Sequence, residues 1–138
     1  MKLMQKYFTK IILCSLLTLL PQAAFAYSNA DLAIVQKGAS CPGGDLSGAD
    51  LSGYNLAGRN FSGADFTEAR LEDTNLDKAQ LHNAIFRNAI LHRSRLRDAD
   101  LSNADFSYAK AFETDFTNAK MERAQLFRAQ MQGSKLLN

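Results

Sequence analysis

The sequence predicts an all-β repeat solenoid behind an amino-terminal export signal, and three observations carry that prediction. Every fifth position from 46 is apolar and, with one small exception, large: Leu46, Leu51, Leu56, Phe61, Phe66, Leu71, Leu76, Leu81, Phe86, Leu91, Leu96, Leu101, Phe106, Ala111, Phe116, Met121, Leu126, Met131 and Leu136. Two residues before most of these stands a small one, usually alanine, as in Ala49, Ala64, Ala69, Ala84 and Ala104. Apart from Arg59, the residues that break this second series, Tyr54, Thr74, Ser94, Thr114 and Ser134, are themselves spaced 20 apart. A helix needs a period of 3.6 and a simple strand a period of two, so a sustained period of five points to neither and marks a repeat.

Ahead of the repeat, residues 1–26 stand apart. Lys2, Lys6 and Lys10 form a basic head, residues 11–20 an apolar run, and Ala24-Phe25-Ala26 a small-x-small end. These are the three regions of a cleavable Sec signal peptide, cut after Ala26. The run is too short to stay as a bilayer-spanning helix, and Cys14 follows Leu13 rather than the small residue of a lipoprotein signal. The expectation is an exported product with no membrane anchor after cleavage, in the periplasm, or alternatively a thylakoid lumen or the extracellular medium. Three of the 16 Lys+Arg leave with the signal and all 14 Asp+Glu stay, so 13 − 14 gives a net charge of −1. A near-neutral product carries no basic footprint for nucleic acid, and no such partner is expected.

Residues 27–43 read as an amino-terminal cap. Ser28 or Asn29 can N-cap a helix over residues 30–37 that Gly38 closes, with Leu32, Ala33, Ile34 and Val35 supplying an apolar side to cover the first coil. From 44 to 138 the repeat runs without insertion, and no helix follows it. Unpaired edges there predict end-to-end association, a homodimer through the C-terminal coil.

The motif A-D/N-L-S/x-x is clearest in Ala49-Asp50-Leu51-Ser52-Gly53, Ala64-Asp65-Phe66-Thr67, Ala99-Asp100-Leu101-Ser102-Asn103 and Ala104-Asp105-Phe106-Ser107. It resembles the pentapeptide-repeat family across residues 44–138. The resemblance implies a right-handed quadrilateral β-helix in which each pentapeptide makes one face and four make a coil. A 20-residue coil accounts for the spacing of the exceptions and predicts nearly five coils, a rod about 23 Å long at ~4.8 Å per coil. Four interior ladders follow, such as Leu46-Phe66-Phe86-Phe106-Leu126. Outward residues 20 apart should pair: Asp73 with Arg93 and Glu113, Asp77 with Arg97, Lys78 with Asp98, Asp100 with Lys120, and Arg95 with Asp115 and Lys135. Each pair contributes about 0–1 kcal/mol. Arg59, bulky in the small series, suggests a first coil that is wider or partly opened.

Chemistry-bearing residues are scattered. Carboxylates such as Asp65 with Glu68, or Glu72 with Asp73, have no evident cleft to desolvate them. His82 and His92 fall on opposite faces, so no metal site is expected, and His92 under Glu72 needs only a hydrogen bond. The run His92-Arg93-Ser94-Arg95-Leu96-Arg97, with Arg87 nearby, is the densest basic patch, although the acidic ladder partners should consume most of its charge. Apolar residues at outward positions are more informative. Ile85, Ile90, Tyr108, Phe112 and Phe127 fall on the first two faces and form a candidate protein-binding patch around their shared corner, unless Phe112 turns inward to fill the room beside Ala111. Cys41, in Cys41-Pro42-Gly43-Gly44-Asp45-Leu46, is similar to a C-x-G-C-D-L lead-in of exported family members. Gly44 replaces the second cysteine, leaving Cys41 as a buried thiol or an intermolecular one.

Fold does not fix function. The reading is a non-enzymatic exported structural or protein-binding module, with no cofactor and an unidentified protein partner. An enzyme or accessory factor acting on an envelope polymer is the alternative. Some family members bind gyrase as strongly acidic, cytoplasmic mimics of duplex DNA; export and a charge of −1 argue against that role here.

Overall fold

The structure, a computed structural model, describes residues 28–136. The expected signal peptide and cleavage site lie outside the described residues.

The period of five is a period of turns. The N–H of the small residue donates to the carbonyl of the apolar residue three before it in every turn but that of Thr114, as from Ala69 to Phe66 (3.0 Å), Ala84 to Leu81 (3.0 Å) and Ala109 to Phe106 (2.9 Å). The third residue of each turn has positive φ, as in a type II turn. In the first coil that residue is always glycine: Gly48, Gly53, Gly58 and Gly63, at φ 72°, 74°, 69° and 68°. From Glu68 to Arg128 thirteen non-glycine residues hold the same conformation at φ 54–61°. Left-handed backbone costs such residues about 1–2 kcal/mol each, so the coils are held in this shape by the ladder between them and not by local preference.

Between turns, one residue per face pairs in parallel with the residue 20 further on, giving 15 bridges from Asp45–Asp65 to Asp115–Lys135. Face 1 carries Asp45, Asp65, Ile85, Asp105 and Gln125; face 2 carries Asp50, Arg70, Ile90, Lys110 and Gln130. Face 3 carries Asn55, Asn75, Arg95, Asp115 and Lys135, and face 4 Asn60, Gln80, Asp100 and Lys120. Strands are therefore single bridging residues rather than extended segments, because the turn consumes most of every pentapeptide. The Asp or Asn at a bridge holds the next turn. Asp65 Oδ1 accepts the Thr67 N–H at 2.8 Å, Asp105 Oδ1 that of Ser107 at 2.9 Å, and Asn60 Oδ1 both the N–H and the hydroxyl of Ser62. This is the physical content of the D/N-x-S pattern.

The large apolar series is buried from Leu46 to Phe116, and the small series is buried with it apart from Tyr54 and Arg59. Phe66, Phe86 and Phe106 stack along one ladder at 5.0 and 4.6 Å, nearly parallel, and Phe61 meets Phe66 edge-on at 5.6 Å. The 20-residue column of exceptions is explained by hydroxyls that reach turn carbonyls in the interior. Thr74 Oγ1 donates to Leu51 O at 2.8 Å, Thr114 Oγ1 to Leu91 O at 2.7 Å, and Ser94 Oγ to that same Leu91 O at 2.7 Å. Those carbonyls also accept their own turn N–H, so small polar residues are satisfied where alanine is the rule.

The cap is a helix, α1 (Asn29–Gln36), one residue earlier at each end than the sequence suggested. Ser28 Oγ accepts the Asp31 N–H. Gly38, at φ 84°, closes the helix with Gly38 N–H to Val35 O and Ala39 N–H to Ile34 O, a Schellman pairing. Two further bonds tie α1 to the exposed edge of the first coil: Ser28 N–H to Asp45 O at 3.0 Å, and Asp45 N–H to Asp31 Oδ2 at 2.9 Å. Tyr54, Leu32 and Ile34 pack against the core beneath the helix, and Arg59 Nη1 donates to Val35 O at 3.2 Å. The first coil is not widened: Asn55–Asn75 and Asn60–Gln80 keep the common register, and the bulky Tyr54 and Arg59 serve to seat the cap. At the other end of the described residues Leu126 and Leu136 are 42% and 55% exposed. No described carbonyl accepts the N–H of Met121, Leu126 or Met131.

Candidate functional site

The outward charges pair diagonally as often as vertically, the vertical pairs being Asp50–Arg70, Asp73–Arg93 and, as expected, Asp115–Lys135. Arg93 meets Asp73 through two bonds at 2.8 and 2.9 Å, as the ladder expectation has it. Arg87 instead reaches Asp105, Arg97 reaches Asp115, and Arg95 takes Asp77. Each spans 18 residues because a corner residue of one coil lies diagonally across from a bridging residue of the next. Asp77 meets the Arg97 backbone N–H, not its side chain, and Asp98 is bonded by Asn118, not by Lys78. All four arginines of the basic run and its neighbour are thus engaged. The Thr117 hydroxyl above all, against the opposing effect of burial, and then Arg97 hold the Asp115 carboxyl far below the usual range. Burial pushes Asp105 up, but hydrogen bonds from Ser107 and Arg87 outweigh it and its carboxyl is also low. Asp31 goes the other way: burial raises it, only partly offset by the Asp45 N–H.

No site for catalysis is assembled from these groups. Glu72 bonds to Arg70, not to His92 as the sequence suggested. The His92 ring instead stacks on Phe112 at 4.8 Å, with Nδ1 buried and without a hydrogen-bond partner. Phe112 therefore does not turn inward beside Ala111. Ser62 Oγ lies 3.0 Å from His82 Nδ1, the contact of a nucleophile and its base. The Ser62 proton, however, is directed to Asn60 Oδ1 at 2.6 Å, so the ring nitrogen is left to donate to Oγ, the reverse of activation. Among the described residues no group of three His, Cys, Asp or Glu can hold a metal ion, and no helix is long and apolar enough to cross a membrane. A shallow, open recess is lined by Asn118, Ala119, Lys120, Met121 and Glu122.

Cys41 is fully buried, sulfur included, in the core below the cap. A Cβ at Gly44 would lie 2.4 Å from that sulfur, which is why glycine occupies the position.

The apolar candidates divide. Tyr108 and Phe127 are 45% and 60% exposed and meet edge to face at 5.5 Å at the corner between faces 1 and 2. Arg128 lies over both rings, 5.9 and 5.4 Å from their centres. Tyr108 holds a left-handed φ of 61°, where Asn, Asp or Gly is at less cost. Ile85 and Ile90 flank the same corner, half-buried, as bridging residues of the third coil. Phe112 belongs instead to the next corner. Arg128, at the positive-φ turn position of its pentapeptide, was missed from the sequence, because a basic residue at a solvated turn carries no signal of its own. Lys110, Arg123 and Arg128 form no ion pair among the described residues, and neither do Asp45, Asp65 and Glu68.

The pentapeptide-repeat family model matches residues 45–83, 64–103 and 104–136, with eight copies. A pentapeptide-repeat protein of the Arabidopsis thaliana thylakoid lumen is 35% identical, with a TM-score of 0.67 over 72% of this chain and 70% of that one. HetL, involved in heterocyst differentiation regulation in the cyanobacterium Nostoc, is 31% identical at a TM-score of 0.61, covering 64% of this chain and 42% of HetL. Rfr23 of the cyanobacterium Cyanothece is 27% identical at 0.62, over 64% of this chain and 60% of its own. No curated protein matches the sequence significantly. Likeness to these solved structures implies the right-handed winding of a quadrilateral β-helix. The chain belongs to the pentapeptide-repeat family.

Proposed function

We propose that this protein is an exported, non-enzymatic rod that binds another protein through the corner between faces 1 and 2. One observation carries the reading. Tyr108 and Phe127 stand exposed against each other under an unpaired Arg128, whereas every other aromatic ring of the described repeat is in the core or, like Phe112, half-buried. Exposed aromatics with arginine are the composition of interface hot spots. A rigid solenoid supplies that cluster pre-organised, so little side-chain entropy is lost on binding. Export rests on the Sec-type leader, and the thylakoid-lumen relative is consistent with a life across a membrane from the ribosome.

The test is a photo-crosslinking amino acid placed at Phe127 and, as control, at Asn118 on the opposite corner, in the exported protein in its own compartment. A discrete protein adduct from position 127 and none from 118 is the expected result. Equal or absent adducts from both positions would sink the reading.

A further inference from the structure

The corner between faces 1 and 2 changes character along the rod. In the first two coils its unpaired charges are Asp45, Asp65 and Glu68; in the last two they are Lys110 and Arg128, with Tyr108 and Phe127. The remaining charges at the corner are neutralised internally, Arg70 by Asp50 and Glu72, Arg87 by Asp105. The third coil, the middle of five, carries Ile85 and Ile90 where the repeat otherwise places Asp, Arg, Lys or Gln. Apolar in the centre, acidic toward one end and basic toward the other, the strip complements its own image under a two-fold axis perpendicular to the rod.

We propose that the occupant of this corner is a second copy of the chain, packed antiparallel and side by side. This rests on the reading of the corner as a binding surface. The axis passes through the third coil, so Ile85 and Ile90 meet their counterparts. Lys110 and Arg128 of one copy face Asp45, Asp65 and Glu68 of the other, and the Phe127 ring falls near Gly48 and Ser47, where the first coil is flat. Such an interface is isologous, with an apolar centre and a charged rim. An end-to-end contact through the last described coil is electrostatically worse. It brings Lys120, Arg123 and Arg128 of each copy together with only Glu122 to offset them, Lys135 being held by Asp115.

Sedimentation velocity of the full chain is the test, with circular dichroism confirming that each variant is folded. The expected wild type is a dimer whose dissociation constant weakens about tenfold or more between 0.1 and 1 M salt, as screening shortens. Asp65→Lys with Glu68→Lys, and separately Lys110→Glu with Arg128→Glu, should each be monomeric, and an equimolar mixture of the two variants should re-form a heterodimer. Ile85→Asn with Ile90→Asn should also dissociate. A wild type that is monomeric at every concentration overturns the proposal, while the crosslink at Phe127 still reports separately on a different partner. A dimer indifferent to salt and to these changes, yet lost in Leu126→Ser with Leu136→Ser, overturns it in favour of end-to-end stacking.

Discussion

Replacing Phe86 by alanine tests how the core is built. Phe86 is wholly buried in the third coil, stacked between Phe66 and Phe106 at 5.0 and 4.6 Å. Truncation removes the transfer free energy of the ring and leaves a cavity, together about 3–5 kcal/mol. Two aromatic contacts of roughly 0.5–1.5 kcal/mol each are lost with it, partly counted already. The expected cost is about 4–5 kcal/mol, against a total stability on the order of 5–15 kcal/mol. Leu126 stands in the same ladder two coils on, but 42% exposed and with no coil packed beneath it among the described residues. Leu126→Ala should therefore cost only about 1 kcal/mol. Equilibrium urea unfolding followed by far-UV circular dichroism reads both. Because a solenoid couples nearest neighbours, the Phe86 gap should also lower the slope of the transition as the two halves uncouple. A Phe86→Ala cost under about 1 kcal/mol would refute the ladder; equal costs at 86 and 126 would show that the last coil is covered.

Asp31→Ala removes the acceptor of the Asp45 N–H at the first edge and should destabilise by roughly 1–3 kcal/mol, with faster hydrogen exchange confined to α1 and the first coil. Gly44→Ala places a methyl 2.4 Å from Cys41 Sγ and should lower the melting temperature far more than Gly53→Ala, whose Cβ meets nothing within 4 Å although both its conformation and its φ of 74° are strained. The folded carboxyls of Asp105 and Asp115 are held below the unfolded value of about 3.9. Their contribution is thus complete above that pH and lost as pH falls below it through the lower folded values. Asp31 has the opposite sign: its raised folded value makes it unfavourable at neutral pH, a penalty that fades on acidification. Urea titrations should show a decline below about pH 4 that Asp115→Asn reduces while lowering stability at pH 7.

The ladders, the 20-residue coil and the cap were legible in the sequence because each rests on a repeated or local requirement. A buried position every five residues, a hydroxyl every coil and a Schellman glycine at Gly38 all leave a mark on residue choice. Ion-pair partners were legible only in part: Asp73–Arg93 and Asp115–Lys135 follow the 20-residue spacing, but that spacing also points to Asp77 and Arg97, whereas the corner geometry hands Asp77 to Arg95. Arg59 read as a defect because the helix carbonyl it serves, that of Val35, lies 24 residues away. Of the outward apolar residues, the sequence found the corner cluster but could not separate Phe112, whose stacking on His92 depends on side-chain direction one coil above.

Whether the corner between faces 1 and 2 is covered where the protein works is the central claim, and hydroxyl-radical footprinting measures it directly. Tyr108 and Phe127 should be oxidised readily in dilute purified protein and protected in its native compartment, with His82, at the corner between faces 4 and 1, labelled equally in both. Undiminished oxidation of Tyr108 and Phe127 in that compartment would contradict the account.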